Sequence, residues 1–229
     1  ALFSRIGFRK LRGCFFSYNT IGKTIEDLKP HGMLYIGTMN GKAGGKTPKQ
    51  LAENAEFQIR EILKLKREKP DTFLFSEFYN EPENWAPTNP QTLLWPFAMQ
   101  SAEIFQGVHA ARTNLKMINS GVTHRNLSFL YQLACAAMGK NERMPDIVAV
   151  HGYRSPQMPE FAHEDDVAAI RALFGQRPIW NNEDAYFVEG SEGGAEPTIT
   201  APSASAIELP EMTQAAYLVR GMLNQLAAG

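Results

Sequence analysis

Cysteine is nearly missing: the chain has 2 in 229 residues. Cys14 and Cys135 stand far apart and match no metal or redox spacing, so a disulfide framework does not hold this fold. Long apolar runs are missing as well. Nothing approaches the roughly 20 consecutive apolar residues of a membrane span, and no basic stretch followed by an apolar one opens the chain, so no membrane partner is expected. An excess of either charge is also lacking, because Lys+Arg 23 against Asp+Glu 24 leaves a net charge of −1. With no basic field to recruit phosphate backbones, nucleic acid is not an expected partner. His109, His124, His151 and His163 follow neither a His-x-x-x-His nor a Cys-x-x-Cys pattern, so no metal is expected. Intrinsic disorder is excluded by a hydrophobic share of 44% against 21% charged residues, which is the balance of a folded globular chain.

What is present is a regular alternation. Apolar runs predict strands over Phe8 to Gly13, Met33 to Met39, Thr72 to Asn80, Lys116 to Gly121, Asp146 to His151 and Pro178 to Glu183. Helical spacing between them predicts helices over Ile21 to Lys29, Thr47 to about Lys69, about Gln91 to Asn114, about Asn126 to Gly139, and Glu164 to Gly175. Thr47 reads as an N-cap with Pro48 as the first helical residue, and Pro70 ends that helix. A loop rich in Gly, Ser, Ala and Pro, from Glu189 to Pro210, leads to a last helix over Glu211 to Leu226. Six strands, each followed by a helix, call for a parallel α/β sheet. Periodicity alone leaves an open doubly wound sheet and a (β/α)8 barrel equally admissible.

Parallel α/β folds build their sites at the C-terminal ends of strands, and two strands here end on carboxylates. The third runs into Asn80-Glu81-Pro82, and the sixth ends Ile179-Trp180-Asn181-Asn182-Glu183. Two carboxyls on one rim suit glycoside hydrolysis. The glycosidic oxygen is a poor leaving group, so one carboxyl must donate a proton while the other attacks or stabilises the anomeric carbon. Such a pair is kept in two protonation states by unequal burial and unequal hydrogen bonding.

The segment Phe75-Ser76-Glu77-Phe78-Tyr79-Asn80-Glu81-Pro82 resembles the acid/base segment on the fourth barrel strand of clan A glycoside hydrolases, where an acidic residue and an aromatic precede Asn-Glu-Pro. Pro178-Ile179-Trp180-Asn181-Asn182-Glu183 is similar to that clan's seventh-strand segment, with Trp three residues before the nucleophile. Val148-Ala149-Val150-His151-Gly152-Tyr153 resembles its sixth strand, and Arg12 falls where the clan keeps a second-strand Arg. The resemblance implies an α/β TIM barrel, incomplete, with its first and last βα units missing, and a single partial catalytic domain over residues 1–229. It implies a retaining mechanism with Glu81 as acid/base and Glu183 as nucleophile. Arg12, Asn80, His151 and Tyr153 would then line the substrate site. Trp85, in the loop just past the acid, is placed by its position either to stack on a sugar ring or to pack its own loop. It further implies an oligosaccharide or polysaccharide substrate, no cofactor, and a secreted or periplasmic location. One departure is Tyr79, which stands where the clan usually has Trp and is expected to shape a subsite differently.

Other readings compete at single positions. An odd separation of three puts Trp180 out of phase with Glu183, so Trp180 is expected to pack against the helices. Trp95 reads as helix core. Gly41-Lys42-Ala43-Gly44-Gly45-Lys46-Thr47 imitates a phosphate-binding loop, but Asn40 stands where its first Gly is needed and Pro48 removes a backbone donor. Nucleotide binding is therefore not the expected role. A carbohydrate-binding barrel without turnover, or an inactive truncated glycosidase, is the alternative to a working enzyme.

Overall fold

The computed structural model describes residues 10–15, 18–39, 47–82, 90–122, 127–151 and 163–183. Strands β1 (Lys10–Phe15), β2 (Leu34–Met39), β3 (Phe75–Phe78), β4 (Lys116–Ile118), β5 (Val148–His151) and β6 (Ile179–Glu183) alternate with helices α1 (Tyr18–Leu28), α2 (Pro48–Glu68), α3 (Pro90–Ala110), α4 (Leu127–Ala137) and α5 (His163–Phe174). Local chemistry accounts for several boundaries. Thr47 is extended and its side chain accepts a hydrogen bond from Gln50 N at 3.2 Å, capping α2 ahead of Pro48. After α1, Lys29–His31 tighten into a 3-10 turn that Gly32 closes at φ 63°. The loop 189–210, the expected last helix and residues 40–46 of the glycine-rich loop lie outside the described residues.

All strand pairs are parallel and follow chain order. β1, β2, β3 and β4 form one sheet and β5 pairs with β6, with an isolated Ile118 to Ile147 bridge joining the two. A doubly wound sheet reverses its order at a switch point, and these six strands have none, so the barrel alternative is the one realised. The sheet is strongly rolled. Laid flat at about 4.8 Å per strand, β3 and β6 would stand about 14 Å apart. Instead, the rings of Phe75 on β3 and Trp180 on β6 have centroids 5.3 Å apart. Lys10 Nζ, on β1, lies 4.2 Å from the Trp180 ring centroid. The chain is thus a partial α/β barrel.

Alternation along the strands separates two cores. Tyr35, Met39, Phe78, Met117 and Val148 join the helix residues Ile21, Ile62, Phe105, Phe129 and Phe174 in the main core. Ile36, Ile118, Ile147 and Ala149 form a second cluster on the concave face, with Phe75 and Trp180 packed on it. Trp180 therefore belongs to the barrel interior, which overturns the expectation that it faces the helices. The reason is a β-bulge. Val150 pairs with Asn181, but His151 pairs with Glu183, so Asn182 is an extra residue and the phase of β6 reverses across it. Trp95 also departs from expectation, being 43% exposed. The buried stripe of α3 runs through Leu94, Ala98, Ala102 and Phe105, and Trp95 sits one residue, about 100° of turn, away from it.

Candidate functional site

Strand β3 ends abruptly at Phe78 because Tyr79 takes φ 70° and Glu81 takes φ 47°. Left-handed backbone at non-glycine residues costs of order 1–3 kcal/mol each and persists where surrounding contacts over-determine it. Those contacts are present: Tyr79 N–H donates to Met39 O and Glu81 N–H to Gly121 O, both at 3.0 Å, and Asn80 forms a bridge with Gly121. The Tyr79 ring turns away from the concave face into the main core, 5.2 Å from the Phe97 ring centroid. Tyr79 therefore packs against a helix, and the subsite role expected for it is overturned. The consequence of the kinked backbone is that Asn80 and Glu81 project at the rim.

Beneath them lies Glu77, which is completely buried. Its Oε2 accepts from Arg12 Nε at 2.6 Å, from Thr38 Oγ1 at 3.1 Å and from Asn182 Nδ2 at 3.0 Å. Its Oε1 accepts from Arg12 Nη2 and from Gly121 N–H, both at 3.0 Å. Arg12, with a 10% exposed side chain, also donates from Nη2 to Asn80 Oδ1 at 2.5 Å. Guanidinium groups only donate, so the Asn80 oxygen must face Arg12 and its Nδ2 donors turn to the other side of the amide. Fork-shaped donation to a carboxylate is the geometry at which Arg excels, and a charge this deeply buried requires it.

His151, at the end of β5, is completely buried, and its Nδ1 stands 2.5 Å from Glu81 Oε1. Gly121 makes this possible. A Cβ there would lie 2.0 Å from His151 Nε2, so the imidazole occupies space that any other residue at 121 would fill. On the neighbouring strand, Glu183 is in register with His151; its side chain lies outside the described set. Arg12, Asn80, Glu81 and His151 are thus brought together. Trp85 and Tyr153 lie outside the described residues. Among those residues, no group of three or more His, Cys, Asp or Glu is arranged to hold a metal, and no helix is long and apolar enough to cross a membrane.

Four residues of this network escaped the sequence reading: Thr38, Glu77, Gly121 and Asn182. Glu77 carried a signal, since a lone acid inside the apolar run Phe75–Phe78 must find partners once buried. The others carried none, because their roles depend on contacts between distant strands.

No family model matches the sequence, and no curated protein matches it. Solved structures do. A GH39 β-xylosidase from Caulobacter crescentus superposes with a TM-score of 0.65 at 13% identity, covering 98% of this chain and 54% of that one. A glucosidase from Croceicoccus marinus gives 0.60 at 11% identity, covering 97% and 52%. A GH39 enzyme from Xanthomonas axonopodis pv. citri gives 0.58 at 13% identity, covering 80% and 46%. The chain spans about half the length of these structures. Over that span it has the fold of the TIM-barrel glycoside hydrolases.

Proposed function

We propose that this chain carries the catalytic face of a retaining glycoside hydrolase acting on an oligosaccharide or polysaccharide. The observation that carries the reading is the position of His151. Its imidazole meets the Glu81 carboxyl at 2.5 Å, and its backbone is in register with Glu183 on the next strand. The Glu81 carboxyl and the Glu183 backbone therefore meet at one buried residue, at the C-terminal rim where barrels do their chemistry. The fold shared with a β-xylosidase and a glucosidase supports the same reading.

In this reading Glu183 attacks the anomeric carbon while Glu81 gives its proton to the departing oxygen. A covalent glycosyl-enzyme forms, and Glu81 then takes a proton from water as the water displaces the sugar from Glu183. His151 orients Glu81. Asn80, its oxygen committed to Arg12, directs amide donors toward a substrate hydroxyl. A secreted or periplasmic location belongs to the same proposal, since polysaccharides lie outside cells.

The test uses aryl glycosides, with xylosides and glucosides in the panel. Glu183→Ala is expected to abolish turnover. Glu81→Ala is expected to retain dinitrophenyl glycosides, whose leaving group needs no proton, and to lose about 10²–10⁴-fold on unactivated glycosides. Full activity of Glu183→Ala would refute the assignment.

A further inference from the structure

We propose that Glu77 is the positioning residue that fixes both candidate carboxylates, acting through the asparagine that precedes each. The inference rests on the glycosidase reading above and names the residue that sets its geometry.

Asn80 precedes Glu81, and Asn182 precedes Glu183. Both asparagines are tied to Glu77. Asn182 is the extra residue of the β6 bulge, without a place in the ladder, and its side chain donates to Glu77 Oε2 at 3.0 Å instead. That bond holds the bulge, and the bulge sets Glu183 opposite His151. On the other side, Arg12 clasps Glu77 through Nε and Nη2 and extends Nη2 to Asn80 Oδ1. A third tether runs through the backbone of Gly121, whose N–H donates to Glu77 Oε1 while its carbonyl accepts from Glu81 N–H.

Glu77 itself does not meet substrate. It is completely buried, and a carboxylate has about four lone-pair sites, all engaged by donors from Arg12, Thr38, Gly121 and Asn182. Its effect must pass through its partners. Nor is strand cohesion a sufficient account. Apolar residues hold buried strands at least as well as an ion pair does, whereas only a directional acceptor aims Arg12 and Asn182 at once. Glu77→Gln keeps the shape and removes this property. In either amide orientation its NH2 faces donors: Arg12 Nη2 and Gly121 N–H on one side, Arg12 Nε and Asn182 Nδ2 on the other.

The experiment measures kcat and KM on the aryl glycoside panel for the wild-type chain, Glu77→Gln, Asn182→Ala and the double variant, each well below its melting temperature. Misplacement of about 1 Å costs about 100-fold in rate, so Glu77→Gln is expected to lose about that in kcat, with KM changed less than about threefold. Asn182→Ala is expected to lose part of the same amount, and the double variant to be no slower than Glu77→Gln, because both act through one network. A wild-type kcat in Glu77→Gln, or losses that multiply in the double variant, would overturn the proposal. Should Glu77→Gln fail to fold, Asn182→Ala carries the test, and its unchanged kcat would overturn it equally. Activity retained by Glu81→Ala and Glu183→Ala on every substrate, or a wild-type chain that turns over no glycoside of the panel, refutes the enzyme reading and this inference with it. An inactive Glu183→Ala beside a fully active Glu77→Gln refutes the positioning role alone.

Discussion

Gly121 and His151 share one space: the imidazole Nε2 lies 2.0 Å from where a Cβ on residue 121 would be. Because His151 is completely buried, it has little room to yield. Gly121→Ala is therefore expected to displace the ring from Glu81 and to destabilise the chain by about 1–3 kcal/mol through overpacking. Removing the obstacle should reverse the loss. In urea unfolding, the double variant Gly121→Ala/His151→Ala is expected to be more stable than Gly121→Ala alone. A Gly121→Ala chain as stable as wild type would show that the imidazole does not occupy that space.

Arg12 is the countercharge of a carboxylate that has no contact with solvent. Arg12→Met leaves Glu77 buried without its countercharge, and breaking a buried ion pair on one side costs about 3–5 kcal/mol. Denaturant titration of Arg12→Met should show a loss of that size. A loss below about 1 kcal/mol, the usual value of an exposed pair, would mean that water reaches Glu77 or that Thr38, Gly121 and Asn182 suffice to hold it.

At the opposite end of the strands, His109 on α3 clasps Asp146 just ahead of β5. His109 Nε2 is 3.0 Å from Asp146 Oδ2, and Asp146 also accepts from Met117 N–H at 2.9 Å and from Lys116 Nζ at 3.0 Å. The hydrogen bond to Asp146 raises the His109 pKa against the opposing effect of burial. For Asp146, burial pushes upward, but the bonds from His109, Met117 and Lys116 outweigh it and hold the pKa at about 2. The signs are opposite. The His109 contribution to stability is complete below its ordinary value of 6.5 and is lost as pH rises through the raised one. The Asp146 contribution is complete above its ordinary value of 3.8 and is lost as pH falls toward about 2. Both are present together between about pH 4 and 6.5. The urea midpoint is expected to be highest there, and His109→Ala should flatten the fall on the alkaline side. An identical alkaline fall in His109→Ala would assign it to other groups.

The strands were legible because their apolar runs are local: Leu34–Met39 and Val148–His151 announce burial on both faces without reference to any other segment. Asn80 and Glu81 were legible for a similar reason, since a polar cluster follows an apolar run directly. Trp180 was misread because a bulge at Asn182 reverses the period on which facing is counted, and a bulge follows from cross-strand pairing that no window of β6 contains. The true end of β3 was hidden by the positive φ of Tyr79, a conformation that an aromatic residue does not advertise. Trp95 misled because a large apolar side chain reads as core, while the stripe that α3 buries is decided by the helices packed on either side. Glu77 stood in plain view, yet its donors come from β1, β2, β6 and Gly121, three residues past the end of β4, and only the rolled sheet assembles them.

The central claim is that Glu183 is the nucleophile of a retaining pair with Glu81. The most direct measurement is mass spectrometry of the chain after reaction with activated 2-deoxy-2-fluoroglycosides, which slow the second step and leave the sugar attached to the attacking residue. The account predicts a mass increase of one fluorosugar, located by peptide mapping at Glu183 and absent in Glu183→Ala. Turnover of the ordinary glycoside with no covalent adduct, or an adduct on another carboxylate, would contradict it.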